Sequence, residues 1–238
     1  MKMMEIPIEA ICLDLDDTLW PISPVIRRAE QVTLEWLVVN YPDIASQLVQ
    51  QDMQQRLASF MESFPQYSHD MTHVRRSLLG ALAEQGGHPP QVGEDAFQVF
   101  FEERNRVDLY RDVLPALEWL SARYPLVAVT NGNADLGRVG LDKFFIATVQ
   151  AREVGVPKPQ QKIFDVAVEK AGVPQARILH VGDDPRIDVE GAREAGMQTA
   201  WVNRKAESWP ADITPPDMVV CDLQDLSLRL GRMPGSSR

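Results

Sequence analysis

The chain has 238 residues, 45% of them hydrophobic, which is room for a large core and one or two domains. Its formal net charge of −10 argues against nucleic acid and anionic membranes as partners, but not against a phosphorylated small molecule, because a bound metal inverts the field of a site. No apolar run reaches the roughly 18 residues of a membrane span, no signal peptide is apparent, and Cys12 and Cys221 make no disulfide framework, so a cytoplasmic protein is expected.

Ala10 to Leu13 is short and nearly all apolar, and reads as a buried parallel strand. It runs straight into Asp14, Asp16 and Asp17. Gathering like charges at a strand end is costly unless a cation or hydrogen bonds offset it. Ligands of open α/β sheets bind outside the carboxyl ends of the strands. Asp14 and Asp16 are therefore expected to meet a divalent metal there, and Mg²⁺ suits oxygen ligands of this kind. The plain alternative is a solvated acidic turn.

Pro21 and Pro24 break the loop that follows, and Ser23-Pro24 marks a helix start. From there to about Val107 the patterning is helical. Val25, Ile26, Ala29, Val32, Trp36, Leu37 and Val39 fit one helix. Pro42 opens a second, carrying Ile44, Leu48, Met53, Leu57, Phe60 and Met61. Ser68 opens a third with Met71, Val74, Leu78, Leu79 and Leu82, stopped at Gly86-Gly87. A fourth carries Ala96, Phe97, Val99, Phe100 and Phe101. Four helices with short loops predict a small bundle.

An α/β rhythm then resumes. A helix over Val113 to Arg123 precedes a strand, Leu126 to Val129, that ends in Thr130-Asn131-Gly132-Asn133. A short helix and a weak strand, Ala147 to Ala151, follow. Pro157-Lys158-Pro159 leads into a helix closed by Gly172. The strand Ile178 to Gly182 ends at Asp183-Asp184, and a helix from Arg186 to Ala195 stops at Gly196. Thr199 to Val202 is a strand, Met218 to Cys221 an edge strand, residues 223–231 a last helix, and Pro234 to Arg238 a loose tail. The alternation predicts an α/β fold with a doubly wound parallel sheet over residues 1–20 and 109–238. An inserted all-helical domain over 21–108 interrupts it after the first strand, at the position of a lid.

Parallel strand ends share one edge, so Asp14, Asp16, Thr130, Lys158 and Asp183 are expected to converge. The set suits phosphoryl transfer, which needs an in-line nucleophile and groups that neutralise the phosphoryl oxygens. Asp14 is the candidate nucleophile, forming an aspartyl phosphate. Asp16 is placed to protonate the leaving oxygen and then take a proton from water. The Thr130 hydroxyl and the backbone N–H groups of Asn131 and Gly132 are candidate phosphate holders, Lys158 a point charge for phosphate, and Asp183 a metal ligand. Singly each has an ordinary alternative: a turn at Thr130, a solvated loop lysine, a helix cap at Asp183-Asp184, a helix-dipole partner at Asp188.

Asp14-Leu15-Asp16-Asp17-Thr18, Thr130-Asn131, Lys158-Pro159 and Gly182-Asp183-Asp184, in that order, resemble the four motifs of the haloacid dehalogenase (HAD) superfamily, over nearly the whole chain. The resemblance implies a Rossmann-like core with a C1-type helical cap. It also implies Asp14 as nucleophile, Asp16 as general acid/base, Thr130 and Lys158 as phosphoryl holders, and Asp14, Asp183 and the Asp16 main-chain carbonyl as ligands of Mg²⁺. Asp16 argues for a phosphatase, since true haloacid dehalogenases of the superfamily lack that second acid. Asp17 stands where phosphatases more often carry Gly. Asp17, Thr18, Asp184 and Asp188 are expected around the primary residues.

The stretches Asp14 to Leu19, Ser68 to Thr72, Thr130 to Ala134 and His180 to Asp184 further resemble a bacterial phosphatase branch acting on flavin mononucleotide and on 5-amino-6-(5-phosphoribitylamino)uracil. That implies a small phosphate monoester with a ring and a polyol chain. Trp20 is then a candidate to stack on the ring, with core packing as its alternative, and His69, His73 and Arg76 are candidate substrate contacts on the cap. A receiver-like phospho-acceptor protein is the rival from another class, but it carries its acceptor on the third strand and has no long insertion. A phosphomutase of the same superfamily shares every motif. A phosphonate hydrolase needs a cap lysine, and none lies between Ile22 and Arg106.

Overall fold

Ala10–Leu13 forms β1 and is completely buried, as its unbroken apolar run requires of a strand covered on both faces. The structure, a computed structural model, describes residues 6–50 and 53–232, apart from the side chains of residues 49, 50 and 54, so the expected loose tail lies outside the described residues. The chain divides into two units, Met1–Pro21 with Asp108–Gly132 and Gly140–Arg238, and Ile22–Val107 with Asn133–Val139.

The second unit is helical: α1 (Ile22–Asn40), α2 (Pro42–Gln50), α3 (Met53–Ser63), α4 (Met71–Gln85) and α5 (Gln91–Arg104). The single helix expected after Pro42 is thus two, α2 and α3, with residues 51 and 52 outside the described residues. Asp70, not Ser68, caps α4, its carboxylate accepting from His73 N at 2.9 Å. Ser68 instead closes the 3₁₀ turn before it, donating to the Pro65 carbonyl. Leu37, Leu57, Leu78, Leu82, Phe97 and Phe100 fill the core of this unit. Val39, expected on the apolar face of α1, is 80% exposed at the end of that helix. The backbones of α4 and α5 meet at Gly93, where any Cβ would strike Gly80. The stretch with α7 (Leu136–Val139) belongs to this unit through side chains. Arg104 Nε donates to Asn133 Oδ1 at 3.1 Å, Asn133 Nδ2 donates to Thr72 Oγ1 at 3.1 Å, and Asp135 N donates to Asn105 Oδ1 at 2.8 Å.

In the first unit, β2 (Leu126–Thr130), β3 (Ala147–Gln150), β4 (Ile178–Gly182), β5 (Gln198–Val202) and β6 (Met218–Val220) join β1 in one parallel sheet of order β3-β2-β1-β4-β5-β6. The helices are α6 (Val113–Ser121), α8 (Ala151–Val154), α9 (Gln161–Ala171), α10 (Gly191–Glu194) and α11 (Leu223–Gly231). Ile163, Phe164 and Ala167 of α9 pack on Ala10, Cys12, Val127 and Val129, the residues of one sheet face. α6 and α11 pack on each other and bury Leu117, Leu120, Leu223, Leu226 and Leu230. The sequence predicts a regular helix from Arg186 to Ala195. Its first part is instead a π-helical turn, Pro185–Glu190, in which Val189 N reaches back five residues to Asp184 O at 3.2 Å.

Strands to one side of β1 follow it in sequence as β2 and β3, and those to the other side are β4, β5 and β6. The direction of winding reverses between β1 and β4, and at such a switch point a crevice opens outside the carboxyl ends of the two strands. Asp14 follows β1, with its N–H on Val181 O at 2.9 Å, and Asp183 follows β4. Both acids therefore flank the crevice.

Candidate active site

One lysine gathers the acids. Lys158 Nζ donates to Asp14 Oδ1 at 2.6 Å and to Asp188 Oδ1 at 2.7 Å, and its side chain is 2% exposed. Lys158 is set in place through its own backbone. Asn131 Oδ1 accepts from Lys158 N at 2.7 Å, and Asn131 Nδ2 donates to Lys158 O at 3.0 Å. The loop after β2 thus carries the loop before α9. Thr130 Oγ1 accepts from Gly132 N at 2.9 Å, which tightens the turn and leaves the hydroxyl proton to donate elsewhere.

The π turn explains Asp188. A wide turn swings its carboxylate back under β4, where Oδ1 also takes His180 Nε2 at 3.1 Å and Oδ2 takes Asp184 N at 3.1 Å. Gly182 is required there, because a Cβ on it would overlap the Asp188 carboxylate. Asp184 caps the turn, accepting from Arg186 N and Ile187 N, both at 2.8 Å. Asp188, expected only in the surroundings, stands with Asp14 and Asp183 in one group whose oxygens lie within 4.8 Å of one another.

These environments push the acids apart. Burial raises Asp14 well above the usual carboxylate range, against the pull of Lys158 and with the push of Asp188 and Asp183. Burial would raise Asp188 too, but Lys158 and the His180 N–H hold it well below that range. Burial, with the negative charges of Asp188 and Asp17 nearby, lifts Asp183 to about 7. Burial would lower Lys158, but Asp14 and Asp188 keep it protonated. Burial also lowers His180, so the imidazole is neutral and carries its proton on the nitrogen that faces Asp188. Three converging carboxylates, two of them with raised proton affinity and one held ionised, are the donor set of a hard divalent cation, and the group fits one.

The turn after β1 is held from three sides. Thr18 Oγ1 donates to Asp183 Oδ1 at 3.2 Å. Arg204 donates to Thr18 O from Nη2 at 2.8 Å, is clamped by Asp112 at 3.0 and 2.9 Å, and lies over the Tyr110 ring. Trp20, a candidate to stack on a substrate ring with core packing as its alternative, is 0% exposed, as core packing requires, and its indole N–H donates to Asp16 Oδ1 at 2.8 Å. Asp17 has φ +60, the left-handed conformation for which glycine is the ordinary residue. His180, Arg204, Asp112 and Tyr110 were not singled out from the sequence. His180 had a signal, a polar residue in an apolar strand, whereas Arg204 and Asp112 are 92 residues apart and carry no local one.

His69, His73 and Arg76 lie in the helical unit. Arg76 is engaged there by Glu94 at 2.6 Å, and the His73 ring lies 4.2 Å from that of Tyr67. His69 stands next to the capping Asp70.

Acids and a buried lysine thus meet at the switch point of a parallel sheet, the edge at which open α/β sheets bind ligands. The family follows from comparison. The model of the haloacid dehalogenase-like hydrolases matches residues 8–196, and the chain belongs to that family. It is 35% identical over 216 residues to the 5-amino-6-(5-phospho-D-ribitylamino)uracil phosphatase of Escherichia coli (strain K12), covering 87% of this chain and 90% of that one. It is 36% identical over 159 residues to a phosphoserine phosphatase of Thermus thermophilus, covering 64% and 63%. A structure described as a 2-haloacid dehalogenase from Pseudomonas syringae pv. Tomato DC3000 superposes with a TM-score of 0.87 at 32% identity, over 95% of this chain and 100% of that one. The chain is a HAD-family hydrolase with phosphatases among its relatives. Among the described residues, no helix is long and apolar enough to cross a membrane.

Proposed function

We propose that the protein is a Mg²⁺-dependent phosphatase that hydrolyses a small phosphate monoester through an aspartyl phosphate on Asp14. The observation that carries this reading is the contact of Lys158 with Asp14 at 2.6 Å inside the group Asp14, Asp183 and Asp188. A divalent cation, which Asp14, Asp183 and Asp188 would hold, would supply positive charge at the phosphoryl oxygens and favour the ionised form of Asp14. The Asp14 carboxylate attacks phosphorus, the bond from phosphorus to the ester oxygen breaks, and Asp16 passes its proton to that oxygen. Asp16 then takes a proton from the attacking water as the bond between Asp14 and phosphorus breaks. The Lys158 ammonium and the Thr130 hydroxyl hold the phosphoryl oxygens, and Asn131 keeps Lys158 in register. The helical segment over 21–108 is read as the cap that excludes water and selects the ester.

The Escherichia coli relative favours a riboflavin-pathway phosphate, or flavin mononucleotide, as the ester. The two free cysteines, Cys12 buried and Cys221 exposed, suit a reducing cytoplasm. The likeness to the haloacid dehalogenase structure supports a second reading, release of halide from a 2-haloacid. Asp16 weighs against it, because halide leaves without a proton.

The test is release of phosphate from flavin mononucleotide, the ribitylaminouracil phosphate, sugar phosphates, nucleotides and phosphoglycolate, with and without Mg²⁺, beside chloride release from 2-chloropropionate. Mg²⁺-dependent phosphate release that Asp14→Asn abolishes in a folded chain is expected. Chloride release without phosphate release would move the assignment to the second reading.

A further inference from the structure

Among the described residues Trp20 is the largest fully buried side chain, and its one side-chain polar atom is spent on the carboxylate two residues beyond the proposed nucleophile. An indole N–H is a donor only, so at 2.8 Å from Asp16 Oδ1 it has a single use, to hold an acceptor oxygen. Its own position is closed off by the backbone. Asp17 N donates to Trp20 O at 2.8 Å and Leu19 N to Leu15 O at 2.7 Å, so Asp16 and Trp20 sit side by side across a turn. The turn is pinned further along by Arg204 on Thr18 O and by Tyr110 N on Leu19 O at 3.0 Å. A free aspartate turns about two torsions, whereas proton transfer in the reaction requires the oxygen within hydrogen-bond reach of the proton's other holder. Packing on the ring fixes the donor, and the donor fixes the carboxylate.

We propose that Trp20 is a positioning residue for ester hydrolysis: its buried indole N–H locks the rotamer of Asp16 and so aims the carboxyl group at the leaving oxygen. The inference rests on the reading of Asp16 as the general acid. It assigns Trp20 a function through Asp16 in place of contact with the substrate ring.

A leaving group that needs its proton will feel the loss of aim, and one that does not will be indifferent. An alkyl phosphate releases a poorly acidic alcohol, and p-nitrophenyl phosphate releases a stable phenolate. The ratio kcat/KM covers only the steps through loss of that group, so later hydrolysis of the phosphoenzyme does not enter it. Trp20→Phe keeps an aromatic ring and removes the N–H. It is expected to lower kcat/KM for the alkyl ester by about tenfold or more, general acids being worth roughly 10²–10⁴-fold, while kcat/KM for the aryl ester stays within about twofold. Equal losses on both esters would reduce Trp20 to a packing residue, and no loss on either would dismiss the hydrogen bond; both outcomes overturn the proposal.

Asp16→Asn is measured beside it. If Asp16→Asn also leaves the alkyl-to-aryl ratio unchanged, the general-acid reading itself fails. If it changes the ratio and Trp20→Phe does not, only the role of Trp20 fails. A readout independent of turnover covers the case in which Trp20→Phe does not fold. The indole proton of Trp20 in the otherwise unaltered chain is expected to exchange slowly and to shift in Asp16→Ala. An indole signal that ignores Asp16→Ala overturns the proposal.

Discussion

Replacing Lys158 by Met removes one charge and almost no volume. In the folded protein the ammonium lies 2.6 Å from Asp14 and 2.7 Å from Asp188, with side chains 2%, 9% and 3% exposed. Without it, Asp14 and Asp188 remain buried, with Asp183 within the same 4.8 Å group. Removing one partner of a buried ion pair costs about 3–5 kcal/mol, because the remaining charge is left uncompensated. A chain of this size loses roughly 2–4 °C of Tm per kcal/mol. In the presence of chelator at pH 8, Lys158→Met is therefore expected to lower Tm by roughly 6–20 °C. At pH 5 the loss should be smaller, since burial raises Asp14 and a proton then does part of the work of the ammonium. Adding Asp188→Asn should recover much of the loss at pH 8 by removing the second charge. Circular dichroism melts at both pH values read all three outcomes. A Tm within about 2 °C of the wild type at pH 8, less than the shift of one kcal/mol, or an equal fall at both pH values, would refute the view that Lys158 compensates buried acids.

Two further outcomes follow from the same geometry. Asp183 has a pKa near 3.8 when unfolded and about 7 when folded, so the folded protein keeps a proton that the unfolded chain loses in that interval. This contribution to metal-free stability is present below about pH 4 and disappears as the pH rises to about 7. A cation must displace that proton, so the Tm gained from Mg²⁺ should grow across the same interval; a gain independent of pH would contradict the raised pKa. At Asp17, φ +60 favours glycine, and its charge helps to raise Asp183. Asp17→Gly should raise Tm by up to roughly 4 °C, on the order of 1 kcal/mol of backbone strain, and narrow the pH dependence, whereas Asp17→Val should lower Tm. Melts that rank Val above Gly would show that backbone conformation does not govern this position.

The sequence by itself determined the α/β class, the helical insertion and the residues that stand at the strand ends. The reason is local. An unbroken apolar run such as Ala10 to Leu13 has few structural solutions, and glycines and prolines such as Gly172 and Pro24 end or start helices where they stand. Once the strands are parallel, Asp14, Thr130 and Asp183 share an edge without further information. Tertiary structure decided what those residues touch. Asp188 enters the carboxylate group because a π turn replaces the regular helix that the pattern suggested, and Gly182 lacks the Cβ that would block it. Trp20 has the same apolar ring in a core or on a ligand; its burial and its bond to Asp16 depend on a turn that Arg204, remote in sequence, holds from the end of β5. Asn131 reads as an ordinary turn residue until it is seen to bond the backbone of Lys158, 27 positions away. Contacts of this kind arise from the closing of long loops, and no periodicity or spacing within the chain encodes them.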